Sequence, residues 1–170
     1  MKSHFEMLAR YNAWANERLY AAAALLPDSD YRSDEKAFFG SVHGTLNHIL
    51  VADRIWMKRF TDEGDAPATL DAILCDTLSE LRKARRAEDA RISGFVDGLS
   101  EGQIAGNISY TPITTPAPVT SPLSPLLTHF FNHQTHHRGQ VHALLTRLTG
   151  DAPSLDLVYY FYEVNKKAKS

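Results

Sequence analysis

The chain has 170 residues, 44% of them apolar and 22% charged, with a formal net charge of −2. That length and balance fit one soluble globular domain, spanning residues 1–170, and exclude a disordered or fibrous chain. The small negative charge offers no general attraction to phosphate backbones or anionic lipid, so neither nucleic acid nor membrane is expected as a partner. The single cysteine, Cys75, excludes an intramolecular disulfide and a Cys-based metal site, and reads as a small core residue. The first residues lack an uninterrupted apolar core of the secretory type and no stretch is long enough to span a bilayer, so a cytoplasmic location is expected.

Ser3 to Glu6 has the S-x-x-E form of a capping box, and a first helix is predicted from there to about Leu26. Phe5, Leu8, Tyr11, Ala15, Leu19 and Ala22 give its buried face, and Pro27 ends it. A second helix is predicted from near Ser41 to the Gly64–Pro67 break, apolar over most of its circumference. A third is expected from about Leu70 to Val96, with Leu70, Ile73, Leu74, Leu78 and Leu81 on one side and the run "RKARRAEDAR" as a solvated face. The following Gly-, Thr- and Pro-rich stretch is too broken for a helix, and "ISYTPI" suits a short extended segment or small hairpin.

Ser121-Pro122 gives a cap and first turn for a fourth helix, with Ser124-Pro125 an alternative start, and Gly150 stops it. Residues 154–169 read as a shorter fifth helix capped by Ser154. The fold class is therefore all-α, a four-helix bundle with a short additional C-terminal helix.

Five of the eight histidines fall between His129 and His142, on the fourth helix. At about 100° per residue, with His129 at zero, His133 lies at about 40° and His137 at about 80°. Those two sit at the edge of the core-facing stripe of Phe130, Val141 and Leu144. His129 and His136 point progressively away, and His142 lies on the far side. The i, i+4 spacing of His133 and His137 stacks their rings so that both can reach one ion. Two buried imidazoles side by side without an ion are awkward, because each ring needs partners for both nitrogens. A third ligand must come from another helix. On the second, His43 and His48 are about 140° apart and cannot share an ion. His48 is favoured by its mid-helix setting, with His43 and His4 as alternatives.

"YNAWAN" (Tyr11–Asn16), "LNHIL" (Leu46–Leu50) and "HQTHHRGQ" (His133–Gln140), in that order, resemble the motifs of the DinB/YfiT-like metalloenzymes. The resemblance implies a four-helix bundle, commonly dimeric, with one divalent metal ion on His48, His133 and His137. It also points to a metal-dependent S-transferase that activates a low-molecular-weight thiol, since characterised relatives use bacillithiol or mycothiol. A metal-dependent hydrolase, or a non-catalytic metal-binding or stress-response module, are the alternatives. All-nitrogen ligation suits zinc, nickel, copper or iron, with zinc or nickel expected. His129, His136, Arg138 and Gln140 are candidates to orient a ligand ring or contact substrate, Arg138 being read foremost as a structural ion pair. The aromatic run Tyr159 to Tyr162 is read as core rather than pocket wall.

Overall fold

The computed structural model describes residues 1–112 and 117–167. Four long helices form the bundle: α1 (Lys2–Ala23), α3 (Val42–Thr61), α4 (Leu78–Gly98) and α6 (Leu123–Thr149). Helices α1 and α3 each pack against both α4 and α6. Two short helices, α2 (Asp28–Arg32) and α5 (Glu101–Ala105), sit in the connections, a detail that the periodicity did not reveal. Strands β1 (Asn107–Tyr110) and β2 (Val119–Pro122) pair antiparallel as a small hairpin, and α7 (Leu157–Lys167) closes the chain against α1. Ile113, which the expected extended segment included, and Lys169 near the end of the fifth helix lie outside the described residues.

The core divides into two apolar halves. One joins Leu19 and Ala23 of α1 to Leu46, Ile49 and Leu50 of α3, Leu81 of α4 and Val141, Leu144 and Leu145 of α6. The other joins Phe5 and Ala9 to Met57, Ile92, Val96, Leu127 and Phe130. The halves take the end of α1 with the beginnings of α3 and α4 and the end of α6. Helices α1 and α6 therefore run one way and α3 and α4 the other. A parallel α3–α4 pair requires the chain to travel back along the bundle between them.

Between the halves each helix contributes polar side chains that are almost wholly buried: Asn12 and Asn16, Asp53, Arg85 and Asp89, Gln134 and Arg138. Arg85 donates to Asp53 and lies 3.0 Å from an Asp89 oxygen. That oxygen also accepts from the Nδ2 atoms of Asn12 (3.1 Å) and Asn16 (3.0 Å). Asn12 Oδ1 in turn accepts from Arg138, which also donates to Thr135 Oγ1 at 3.1 Å. Burial raises the pKa of the Asp53 carboxyl, the adjoining Arg85 guanidinium opposing it.

Several expected boundaries move. α1 begins at Lys2 with Met1 at its cap position, so Ser3 is already helical and forms no capping box, while Glu6 faces Lys2 at 3.8 Å instead. The third helix starts at Leu78, capped by a reciprocal Thr77–Glu80 box, rather than at Leu70. Residues 70–75 are the returning crossover, held to α3 by Asn47: its Oδ1 accepts from the amides of Leu74 (2.9 Å) and Cys75 (3.1 Å). Cys75 itself is half-buried at the edge of the core. The "RKARRAEDAR" run is solvated at Lys83 and Arg86 but buries Arg85, Glu88 and Asp89, because the interleaved acids and bases neutralise one another inside. Ser121 pairs with Ile108 in the hairpin, so Pro122 and not a serine precedes α6. Gly150, with φ of 78°, ends α6 as expected. α7 starts at Leu157, beyond the reach of a Ser154 cap. Of the aromatic run only Tyr160 is buried, against Tyr11 and Trp14, and its neighbours are exposed. The described helices include none long and apolar enough to cross a membrane.

The Arg85→Met variant should be less stable by about 3–5 kcal/mol, because it leaves two buried carboxylates without their cation. Urea unfolding of the two proteins measures this directly.

Candidate metal centre

His48 comes from the middle of α3, and His133 and His137 from successive turns of α6. Each of the three offers a ring nitrogen that lies within 4.8 Å of the others. The ring centroids of His133 and His137 are 4.3 Å apart, those of His48 and His137 4.4 Å. His43 lies apart, its Nε2 donating to the Cys75 carbonyl at 3.1 Å and its ring against Tyr31. His4 is exposed in the first turn of α1.

Two of the three rings have their orientation and tautomer fixed by a neighbour. His48 donates from Nδ1 to the carbonyl of Leu70 at 2.7 Å, and a carbonyl can only accept. The proton is therefore on Nδ1, and the Nε2 lone pair faces the cluster. His137 Nδ1 lies 2.8 Å from Gln140 Oε1, while Gln140 Nε2 lies 3.2 Å from His136 Nε2. The chain His136, Gln140, His137 thus leaves the His137 Nε2 lone pair directed inward as well. The two Nε2 atoms are 3.2 Å apart. Two lone pairs at that distance repel unless a cation lies between them. Nitrogens bound to one tetrahedral ion at about 2.0–2.1 Å would be separated by roughly 3.3 Å. On this observation the residues fit a divalent ion, which they could hold as three neutral ligands.

The approach to α3 explains how His48 is walled. Ser41 caps α3 by accepting from the Gly44 amide at 3.0 Å. A Cβ on Gly44 would lie 2.1 Å from the Phe39 carbonyl oxygen. The absence of a side chain there lets residues 38–40 fold back onto the helix, and the Phe39 ring stacks on His48 with centroids 3.7 Å apart.

Burial holds the His133 pKa down to about 3 and that of His137 to about 4, against an ordinary 6.5. The nearby His137 adds to the effect on His133, and Gln140 opposes the effect on His137. Burial also lowers His48, opposed by its bond to Leu70. All three rings are therefore neutral, and ready to ligate, at neutral pH.

The other sequence candidates divide. Gln140 and His136 reach a ligand ring as described. His129 is exposed and packs on Trp56, with centroids 5.2 Å apart, without bonding a ligand ring. Arg138 is buried on the α1 side of α6, over the Tyr11 ring at 5.3 Å. It makes no ion pair among the described residues and belongs to the mid-bundle polar layer. The ion pair expected of Arg138 is thus replaced by amide and hydroxyl acceptors, since the carboxylates of that layer already serve Arg85. Asp53 is buried there too.

Two cavities meet at the cluster, sharing His48, Leu70 and His133. One, of about 290 Å³, is walled by Ile55, Trp56, Arg59, Tyr110 and His129. The other, of about 330 Å³, is walled by Phe38, Phe39, His136, His137 and Gln140. Sequence reasoning missed Leu70, Phe39, Trp56, Arg59 and Tyr110.

Fold and site together define a class: a four-helix bundle with a three-histidine group able to hold a metal ion on one flank. Within that class the chain belongs to the DinB family, whose profile matches residues 1–166. It is 27% identical over 82 residues to Protein DinB of Bacillus subtilis (strain 168). That match covers 48% of this chain and 46% of the relative, so it spans about half the length of each.

The depressed histidine pKa values make a signed prediction for the metal-free protein. Below about 6.5 the unfolded chain takes up protons on these rings, whereas the folded protein does not until about 4 to 3. Their contribution to stability is complete above that window and is lost as pH falls through it. Urea unfolding of chelator-treated protein between about pH 7 and about pH 4.5 should show a shallower loss in His133→Asn than in the parent.

Proposed function

We propose that this DinB protein binds one divalent ion through His48, His133 and His137 and uses it in transfer of a low-molecular-weight thiol to an electrophile. The observation that carries the reading is the junction of two separate cavities at one histidine cluster. A transfer needs two small molecules to meet, and each can enter by its own pocket with the cluster between them. A divalent ion on these rings supplies charge that lowers the pKa of an approaching thiol below its free value of about 8.5, so that thiolate is present at neutral pH.

The protein's own contribution is orientation and exclusion. The Leu70 carbonyl and Gln140 keep the imidazoles of His48 and His137 as Nδ1–H tautomers, so that their Nε2 atoms would hold the ion rather than transfer protons. Phe38 and Phe39 give one cavity an apolar wall, and Trp56 with Tyr110 gives the other an aromatic one. In the reaction sulfur forms a bond to the electrophilic carbon as the bond to the leaving group breaks. That group departs with the bonding pair, and the thiol proton passes to solvent. Among the described residues neither cavity wall carries a carboxylate to take a proton from water, which favours a thiol over water as nucleophile. Zinc and nickel both suit three imidazoles.

Elemental analysis should find about one metal ion per chain in the parent protein, and a large loss in His48→Ala, His133→Ala and His137→Ala. Full retention by any of them removes that residue from the ligand set. Cobalt-loaded protein titrated with small thiols should develop a sulfur-to-metal charge-transfer band that is missing in His133→Ala. Turnover with water alone as nucleophile would replace the transferase by a hydrolase.

A homodimer is part of the same proposal. The apolar circumference of α3, which first suggested it, is covered within the chain by α4, α6 and their connections. The exposed apolar surface lies instead on α7, at Val158, Tyr159, Phe161, Tyr162 and Val164. Light scattering at micromolar concentration should give twice the chain mass, and a monomer there rejects the dimer.

A further inference from the structure

One wall of the Trp56 cavity carries a cation with no counter-ion among the described residues. His48, Ala52, Ile55, Trp56 and Arg59 follow one another down a single stripe of α3 and all line that cavity. The Arg59 guanidinium lies 4.5 Å from the centroid of Trp56 and 5.1 Å from that of Tyr110. It is half-buried and, among the described residues, makes neither a hydrogen bond nor an ion pair. The protein's other half-buried or buried arginines are engaged: Arg18, Arg32, Arg54, Arg82, Arg85 and Arg91 on carboxylates, Arg138 on Asn12. Stacking on aromatic faces satisfies the plane of a guanidinium but none of its five N–H groups. Burial accordingly works against the charge of Arg59, opposed by the nearby Tyr110 and, among the described residues, by no carboxylate.

We propose that Arg59 is the anion-recognising residue of this site and that the Trp56 cavity takes a small carboxylate-bearing substrate. A carboxylate matches the guanidinium fork with two parallel hydrogen bonds, and a charge-assisted bond in a partly desolvated site is stronger than a neutral one. The cavity, about 290 Å³, fits a molecule of modest size. Arg59 stands about three turns beyond His48, roughly 16 Å along the helix axis, and its side chain leans back toward the helix N-terminus and so toward the cluster. A substrate held at Arg59 therefore carries its reactive carbon several bonds from its acid group. That this molecule is the electrophile rests on the two-cavity reading given above; that Arg59 binds its carboxylate does not.

The two can be tested apart, because anion recognition needs no metal. In a Trp14→Phe background Trp56 is the sole tryptophan and reports on the cavity directly. Metal-free protein is titrated with acetate, 3-phenylpropionate and 4-phenylbutyrate, with the matching amides, and with inorganic phosphate. The longer carboxylates should quench Trp56 saturably and bind at least about tenfold more tightly than their amides, the range of a charge-assisted hydrogen bond. Arg59→Met should erase that preference, and Arg59→Lys, which keeps the charge but not the fork, should retain part of it. Far-ultraviolet circular dichroism checks both folds, and the lysine variant carries the test if the methionine variant unfolds. Equal affinity for acid and amide, or a preference unchanged in either variant, would show that Arg59 only packs over Trp56. Phosphate binding more tightly than every carboxylate would overturn the substrate class. Carboxylate preference in a protein that shows no thiol band on cobalt would uphold Arg59 and reject the transferase.

Discussion

The Arg85 guanidinium, buried in the middle of the bundle between Asp53 of α3 and Asp89 of α4, is the interaction on which the remaining geometry depends. A buried cation is tolerated only where acceptors surround it, and here they come from defined positions on neighbouring helices. Asn12 and Asn16 bring α1 to the same carboxylate, and Arg138 ties α6 to Asn12. Sliding any helix by one turn would leave charges in an apolar half of the core. The polar layer thus fixes the axial register of the four helices.

That register sets the level at which the histidines meet. Arg138 follows His137 directly, so anchoring its side chain toward α1 turns the neighbouring imidazole toward α3. Asp53 lies just over one turn from His48 on α3, which places the second helix at the same height. The parallel α3–α4 arrangement adds a consequence of its own. The crossover must run back over α3, where Asn47 holds it by Leu74 and Cys75 and the Leu70 carbonyl takes the His48 Nδ1 proton. One connection therefore closes the fold and chooses the tautomer of a candidate ligand.

The chemistry open to such a site follows from neutrality. Three rings kept uncharged by burial leave a divalent ion's charge uncompensated, whereas a carboxylate ligand would partly cancel it. The charge is then available to a thiol or to another anionic group. The surrounding walls differ in character, with apolar aromatic surface at Phe38 and Phe39 and a guanidinium against the aromatic faces of Trp56 and Tyr110 at Arg59.

The four long helices, the extended segment from Ile108, the stop at Gly150 and the pairing of His133 with His137 were legible along the chain. These are local matters: helical period, turn chemistry and i, i+4 spacing act within one segment and are readable there. The sequence also ranked His48 above His43, since the former lies mid-helix beside Val51, Ala52 and Ile55 and the latter near the helix start. What it left unread depends on contacts between segments distant in the chain. Leu70 and Ile73 carry a helical pattern, yet they are about half exposed in the crossover because Asn47 and the parallel topology claim that stretch. Arg85 and Asp89 look like solvated charges until Asp53, Asn12 and Asn16 are placed around them. The Leu70 carbonyl carries no sequence signal, because every residue has the same backbone carbonyl. Only the tertiary structure brought that carbonyl to His48 and Arg59 to the same cavity, since hydrogen-bond partners and solvent exclusion are set by how helices are stacked and not by the order of residues along them.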